Sequence, residues 1–312
     1  MSMNKSDSDH LLVATGISKS FGRVEALAPL NMTISQGERV ALAGPSGSGK
    51  TTLLYLLAGI IQPDAGELLL AGQNLARQRP GKEKAGLVGL IHQQYDLVPH
   101  LPVLHNVLAG RLGQWSLFRS MISLVWPQDR QVAEEALAQM GIADKIHERT
   151  SHLSGGEQQR VAIARLMVQG SRVILADEPV SSLDPVRADD MLEILTALAG
   201  GSGRALVASI HSPRLMRKHF TRVIGLREGH LEFDIPAAEV TDRVFERLYD
   251  LDQSEAAVWG AGTETPGKPP AVDPVAGRGL SVEPIHRRLA RADNPHRRTC
   301  RILGFSRLSL SS

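Results

Sequence analysis

An apolar run, Arg39-Val40-Ala41-Leu42-Ala43, leads without a break into Gly44-Pro45-Ser46-Gly47-Ser48-Gly49-Lys50-Thr51-Thr52. No other stretch restricts the fold as strongly. The run reads as a buried strand, and Lys50 to Ala58 as a helix. A strand that turns through glycines into a helix builds a cradle for polyphosphate. Glycines let backbone N–H groups point inward without Cβ clashes. The helix presents the positive end of its dipole to the anion. Lys50 adds a fixed positive charge for the β- and γ-phosphates, and Thr51 a hydroxyl for Mg²⁺, as the pattern G-x-x-x-x-G-K-[ST] requires.

A second strand, Arg172 to Ala176, ends in the acids Asp177 and Glu178. Beside a phosphate cradle the two acids take distinct jobs. Asp177 can hold Mg²⁺ through its water shell, and Glu178 can polarise the attacking water. Adjacent residues of a strand point to opposite faces, so the strand must end here for both to serve one site. Pro179 agrees with that. His211 closes a third apolar strand, Ala205 to Ile210, where it can reach a γ-phosphate.

The rest of the chain alternates in the same way. Leu11 to Thr15, Asn31 to Ile34, Glu67 to Leu70 and Arg222 to Leu226 read as strands. Residues 100–170 read as mainly helical, with Gln131 to Met140 stopped at Gly141, and Pro185 to Leu198 reads as a further helix. Strands alternating with helices give an α/β class with a largely parallel sheet.

Composition narrows the setting. The 312 residues are 42% hydrophobic and 22% charged, with a formal net charge of only +2 and 4% aromatics. Neither charge nor aromatics suggest a nucleic-acid platform. The single cysteine, Cys300, cannot form an internal disulfide and suits a reducing compartment. The first ten residues lack the apolar run of a signal peptide. The longest apolar candidate for a span, Ser116 to Trp126, is too short and carries Arg119. Contact with a membrane is therefore expected through a partner or a surface contact. Beyond Ser254 the texture changes: residues 260–284 are rich in Gly and Pro, and arginines follow in pairs at Arg287-Arg288 and Arg297-Arg298. Residues 254–312 are expected to be a flexible basic tail.

Leu153-Ser154-Gly155-Gly156-Glu157-Gln158-Gln159-Arg160 is, as bare chemistry, a second anion site at a helix start. With this stretch the chain resembles the ABC transporter ATPases over about residues 11–250. That resemblance implies a P-loop cassette with a RecA-like parallel-sheet core, an antiparallel β subdomain and a helical signature subdomain at about residues 95–170. It implies that Ser154, Gly155, Gly156 and Glu157 of one subunit cap the ATP held by the loop of another in a homodimer. Phe21 matches the aromatic that stacks on adenine. Gln93 matches the glutamine that senses Mg²⁺ and the membrane partner, alongside Thr51 and Asp177. Ser182-Leu183-Asp184 matches the loop that crosses the dimer interface, and His211 the switch histidine that assists Glu178. His92, Glu157 and Ser212-Pro213 depart from common family residues without removing an essential group.

Val107 to Gly113, Trp115 to Ser120, Ile174 to Pro185 and Arg222 to Gly229 further resemble the phosphonate importer ATPases. This implies a peripheral ATPase on the cytoplasmic face of the inner membrane. It would energise integral permease subunits, and indirectly a periplasmic binding protein, for uptake of a phosphonate or related phosphorus oxyanion. The alternatives are another importer or exporter cassette and, on weaker grounds, an ABC ATPase acting on nucleic acid.

Overall fold

The computed structural model describes residues 10–75, 86–92, 95–181, 183–200 and 203–249. In chain order its strands are β1 (His10–Phe21), β2 (Val24–Ser35), β3 (Arg39–Ala43), β4 (Ala65–Leu70), β5 (Gln73–Asn74), β6 (Val88–Ile91), β7 (Val173–Ala176), β8 (Ala205–Ser209), β9 (Arg222–Arg227) and β10 (His230–Pro236). Its helices are α1 (Lys50–Leu57), α2 (Val103–Leu108), α3 (Leu117–Val125), α4 (Arg130–Gln139), α5 (Gly155–Gln169), α6 (Pro185–Gly200), α7 (Pro213–His219) and α8 (Asp242–Tyr249).

The strands form a six-stranded sheet in the order β10-β9-β3-β8-β7-β6 and a four-stranded sheet in the order β2-β1-β4-β5. In the larger sheet β9, β3, β8, β7 and β6 run parallel, and β10 returns antiparallel at one edge. The smaller sheet is antiparallel throughout.

Side-chain alternation explains why the central strands are apolar on both faces. Val40, Leu42, Val173, Leu175, Ala205 and Val207 enter a core shared with α1 and the antiparallel sheet. Ala41, Ala43, Ile174, Ala176, Leu206 and Ala208 enter the opposite core, shared with α2, α4, α5, α6 and α7. Each fully covered Val or Leu stabilises the fold by about 1.5–3 kcal/mol relative to exposure. Within the helical part, α5 packs against α2 and α4. Gly110 makes that approach possible: a Cβ there would lie 2.4 Å from the Arg165 carbonyl oxygen.

Several elements differ from their sequence-based bounds. β1 and β2 are each 12 residues long, far longer than the runs from Leu11 to Thr15 and Asn31 to Ile34. Register shifts interrupt their pairing at four points, and each shift breaks the period-two pattern by which strands are read. β6, β10 and α8 are not among the sequence-based elements. β6 is only four residues long, whereas β10 alternates Leu231, Phe233 and Ile235 with Glu232 and Asp234 and α8 buries Phe245 and Leu248 on one face, patterns the sequence does carry. The Gly/Pro-rich and arginine-paired segment from residue 254 lies outside the described residues.

Candidate nucleotide site

Loops leaving the carboxyl ends of β3, β7 and β8, neighbours in the sheet, converge at one site. This is where open parallel sheets hold ligands. The loop after β3 is set by its glycines. Gly44, Gly47 and Gly49 have φ of 146°, 80° and 99°. At Gly44 a Cβ would stand 2.1 Å from the Leu226 carbonyl oxygen, and at Gly49 2.6 Å from that of Ala26. The loop is pressed against β9 on one side and β2 on the other, so only glycine fits.

Lys50, the first residue of α1, is 6% exposed. Its Nζ donates to the carbonyls of Gly44 (2.7 Å) and Pro45 (2.9 Å), with Ser48 Oγ at 3.4 Å. Burial lowers its pKa below the usual ammonium value, while the Glu178 and Asp177 carboxylates oppose that shift. The cation thus stands in the field of both acids, inside the loop. Ser46 and Gly47 are exposed at the loop tip, and Ser48 is buried. Thr51 is exposed and Thr52 half-buried in the first turn of α1.

β7 ends at Ala176, as the acid pair requires. Glu178 then adopts φ of 47°, a left-handed conformation costly for a non-glycine residue and common at working sites. The Ser209 hydroxyl holds this turn in place. It accepts from the Glu178 N–H at 2.6 Å and donates to Asp177 Oδ1 at 2.9 Å. Glu178 Oε1 lies 2.9 Å from Nε2 of His211. On the far side of the imidazole, Nδ1 is 3.5 Å from the Tyr249 hydroxyl. Motif reading misses both Ser209 and Tyr249. The apolar spacing of Phe245, Leu248 and Tyr249 marks a buried helix face, which is the one signal that could have drawn attention to α8.

Ser154 caps α5 through a reciprocal box. Its backbone N–H and hydroxyl donate to Glu157 Oε2 at 2.8 and 2.7 Å, and its hydroxyl accepts from the Glu157 N–H at 3.4 Å. These bonds from Ser154 hold the Glu157 carboxyl below its ordinary pKa. The glutamate at this position therefore serves as a helix cap. Gly155 and Gly156 differ from Gly44 and Gly49, because a Cβ at either would meet nothing within 4 Å.

Phe21 is 52% exposed at the end of β1, with the Lys19 ammonium 5.6 Å from its ring centroid. Asp184 accepts from the Arg187 N–H at 3.1 Å at the start of α6, and Leu183 packs at the edge of the helical core. Gln93 and Ser182 lie outside the described residues. His92 stacks edge-on against Tyr55 of α1, with ring centroids 5.5 Å apart. That accounts for the imidazole at this position.

Thr51, Asp177 and Glu178 are oxygen donors, the kind Mg²⁺ accepts. Among the described residues no three His, Cys, Asp or Glu gather into a closed cage. The set suits an ion that keeps waters and shares phosphate oxygens. No helix among the described residues is long and apolar enough to cross a membrane.

A parallel sheet with this cradle, an acid pair on the neighbouring strand and a capped Ser-Gly-Gly helix defines an ATP-binding cassette. The chain belongs to the ABC transporter family of ATP-binding proteins, whose family model matches residues 27–181. It is 46% identical over 240 residues to the Phosphonates import ATP-binding protein PhnC of Pseudomonas putida, covering 76% of this chain and 89% of that protein. It is also 46% identical over 237 residues to the Phosphonates import ATP-binding protein PhnC 1 of Pseudomonas aeruginosa, covering 74% and 87%. Among solved structures, the cassette MJ0796 in a dimeric post-hydrolysis state with ADP and Pi matches with a TM-score of 0.63 and 28% identity, over 72% of this chain and 98% of that one. The cbiO1 subunit of Clostridium perfringens shares the fold, with a TM-score of 0.64 at 23% identity over 80% and 98%.

Proposed function

We propose that this cassette hydrolyses ATP to energise import of a phosphonate or related phosphorus oxyanion, working as a homodimer beneath integral permease subunits. The observation that carries the catalytic part is the contact of His211 with Glu178, at 2.9 Å, beside the buried Lys50. Lys50 is held inside the loop as a cation ready for the β- and γ-phosphates. Glu178 takes a proton from the attacking water as general base, and His211 orients that carboxylate. Thr51 and Asp177, with Gln93, would hold Mg²⁺. When bound, the ion neutralises charge on the phosphate oxygens. Phe21 offers its exposed ring to the adenine.

The signature glycines support the dimer. The fold of a single chain gives no steric reason for glycine at positions 155 and 156. Close approach of a second subunit's nucleotide to the backbone of Ser154, Gly155, Gly156 and Glu157 supplies one. Leu183 lines a cleft with Ser154, Gly156 and Glu157, and Asp184 accepts from the Arg187 N–H at the start of α6, consistent with a role for the 182–184 loop at the subunit contact. The energy enters as different affinities of the open and closed dimers for ATP and ADP.

The phosphonate reading rests on the names of relatives 46% identical over about three quarters of the chain. The substrate would pass through the permease, delivered by a periplasmic binding protein, with this subunit on the cytoplasmic face of the inner membrane. The test is growth and uptake on a phosphonate as sole phosphorus source, in a strain lacking this gene and complemented with wild type or Glu178→Gln. Wild type should restore growth and the variant should not. Normal growth of the deletion strain, with no redundant importer, would remove the phosphonate assignment.

A further inference from the structure

Helix α8 lies beyond every motif of the nucleotide site, yet its last residue enters that site. Phe245 and Leu248 are buried, and the Tyr249 ring stacks on Phe245 with centroids 4.3 Å apart. This fixes the direction of the phenol. The backbone N–H of Gly44, first residue of the phosphate loop, donates to the Tyr249 oxygen at 3.1 Å. The same hydroxyl stands 3.5 Å from His211 Nδ1, and His211 Nε2 is 2.9 Å from Glu178 Oε1.

Proton counting gives this row of contacts a direction. An amide N–H can only donate, so the phenol oxygen accepts from Gly44. An ionised carboxylate can only accept, so neutral His211 must carry its proton on Nε2 to face Glu178. Nδ1 is then a bare lone pair, and among the described residues the proton that faces it belongs to the Tyr249 hydroxyl. Every donor and acceptor is matched in one arrangement: Gly44 N–H to Tyr249, Tyr249 O–H to His211 Nδ1, His211 Nε2–H to Glu178. The opposite tautomer would set an imidazole lone pair against the carboxylate.

We infer that Tyr249 is a positioning residue for ATP hydrolysis: its hydroxyl fixes His211 as the Nε2–H tautomer and ties that imidazole to the start of the phosphate loop. The inference rests on the proposed roles of Glu178 and His211. The phenol acts through the imidazole, whose Nε2–H is presented to Glu178 or to a γ-phosphate oxygen. The 3.5 Å separation is long for such a bond, as catalytic hydrogen bonds often are before substrate closes the site. Burial raises the Tyr249 pKa, with the Gly44 N–H opposing and the Glu178 charge adding to the rise, so the phenol keeps its proton at neutral pH.

The test is Tyr249→Phe in the full-length chain assembled with its permease, because phenylalanine keeps the stack on Phe245. Two readouts are needed. Steady-state hydrolysis of Mg-ATP should show kcat lowered about 10-fold, the worth of one hydrogen bond to the imidazole, with KM within about twofold. Imidazole ¹⁵N spectra, with His211 assigned from His211→Gln, should show the Nε2–H tautomer in wild type and a tautomer mixture in the variant. An unchanged tautomer in Tyr249→Phe overturns the inference, whether kcat holds or falls together with thermal stability. Glu178→Gln and His211→Ala run in the same assay separate the two levels. If either hydrolyses ATP at the wild-type rate, the underlying site reading fails. If both are inactive while Tyr249→Phe matches wild type, only the role of Tyr249 is lost.

Discussion

The Ser209 hydroxyl donates to Asp177 Oδ1 across 2.9 Å, joining the end of β8 to the acid that follows β7. The same oxygen accepts from the Glu178 N–H at 2.6 Å. One buried hydroxyl thus fixes the side chain of one acid and the strained backbone of the next. Ser209→Ala should leave that N–H without its acceptor and release Asp177. The expected cost is about 1–3 kcal/mol of stability. The kcat for ATP should fall about tenfold, because Glu178 then loses its fixed aim. Denaturant melts and steady-state ATPase assays check both. Retained kcat with lowered stability would make Ser209 a packing residue only.

The glycines separate into two kinds, and alanine substitution tells them apart. Gly44→Ala places a methyl 2.1 Å from the Leu226 carbonyl oxygen at φ of 146°. Strain of that kind should cost on the order of 3 kcal/mol or more and distort the loop. Gly156→Ala meets nothing within 4 Å and should leave the melting temperature unchanged or slightly raised, since alanine favours a helix by up to about 1 kcal/mol. Its loss should show only in ATP-driven dimerisation, measured by size exclusion in a Glu178→Gln background. A Gly156→Ala chain that dimerises like its parent would argue against the signature as a contact for the partner's nucleotide.

The acid limb of stability should carry the mark of Asp189. Its carboxylate is bonded by the Lys218 ammonium, and by His219 Nε2 at 2.5 Å, joining α6 to α7. Lys218 first, and then His219, hold its pKa at about 2, below the ordinary 3.8. The unfolded chain therefore binds the extra proton first as pH falls, so stability is complete above the unfolded pKa and drains as pH drops from about 4 to 2. Asp189→Asn should remove that contribution at neutral pH and flatten the slope in this window. Melts of both proteins between neutral pH and pH 2 show whether the two curves converge at the acid end, as they should.

How much of this was legible in sequence depends on whether a role repeats locally. The cradle, the acid pair and the capped signature helix are contiguous stretches, and each demands its residue types through one loop or one helix start. Lys50, Asp177 and Glu178 could therefore be assigned to one site before any fold was known, and the structure brings the three together. Ser209 and Tyr249 could not. Ser209 is 32 positions from Asp177 and Tyr249 is 38 from His211, and only the parallel sheet and the return through β9, β10 and α8 bring them together. The β1–β2 hairpin is only partly legible for a different reason: its bulges break the alternation that reveals strands. The inward bonding of Lys50 to its own loop depends on backbone carbonyl directions, which no residue pattern encodes.

Leu117, Phe118, Met121 and Trp126, at 87%, 74%, 71% and 74% exposure, face outward around α3 and its end. Ser116 caps this helix by accepting from the Arg119 N–H at 3.3 Å, and Arg119 bonds Asp129 at 3.1 Å. The helix is thus ordered by polar contacts on one side while its apolar side lies open. Exposure of that many large apolar side chains together marks a contact surface, and Trp115 to Ser120 is one of the stretches that resemble the phosphonate importer ATPases. Phe118→Asp should leave the fold within about 0.5 kcal/mol of wild type, because the side chain packs on little in the single chain. It should weaken co-purification with the permease and abolish transport, while Kd for ATP in the isolated subunit stays unchanged. A variant that assembles and transports normally would mean the permease docks elsewhere.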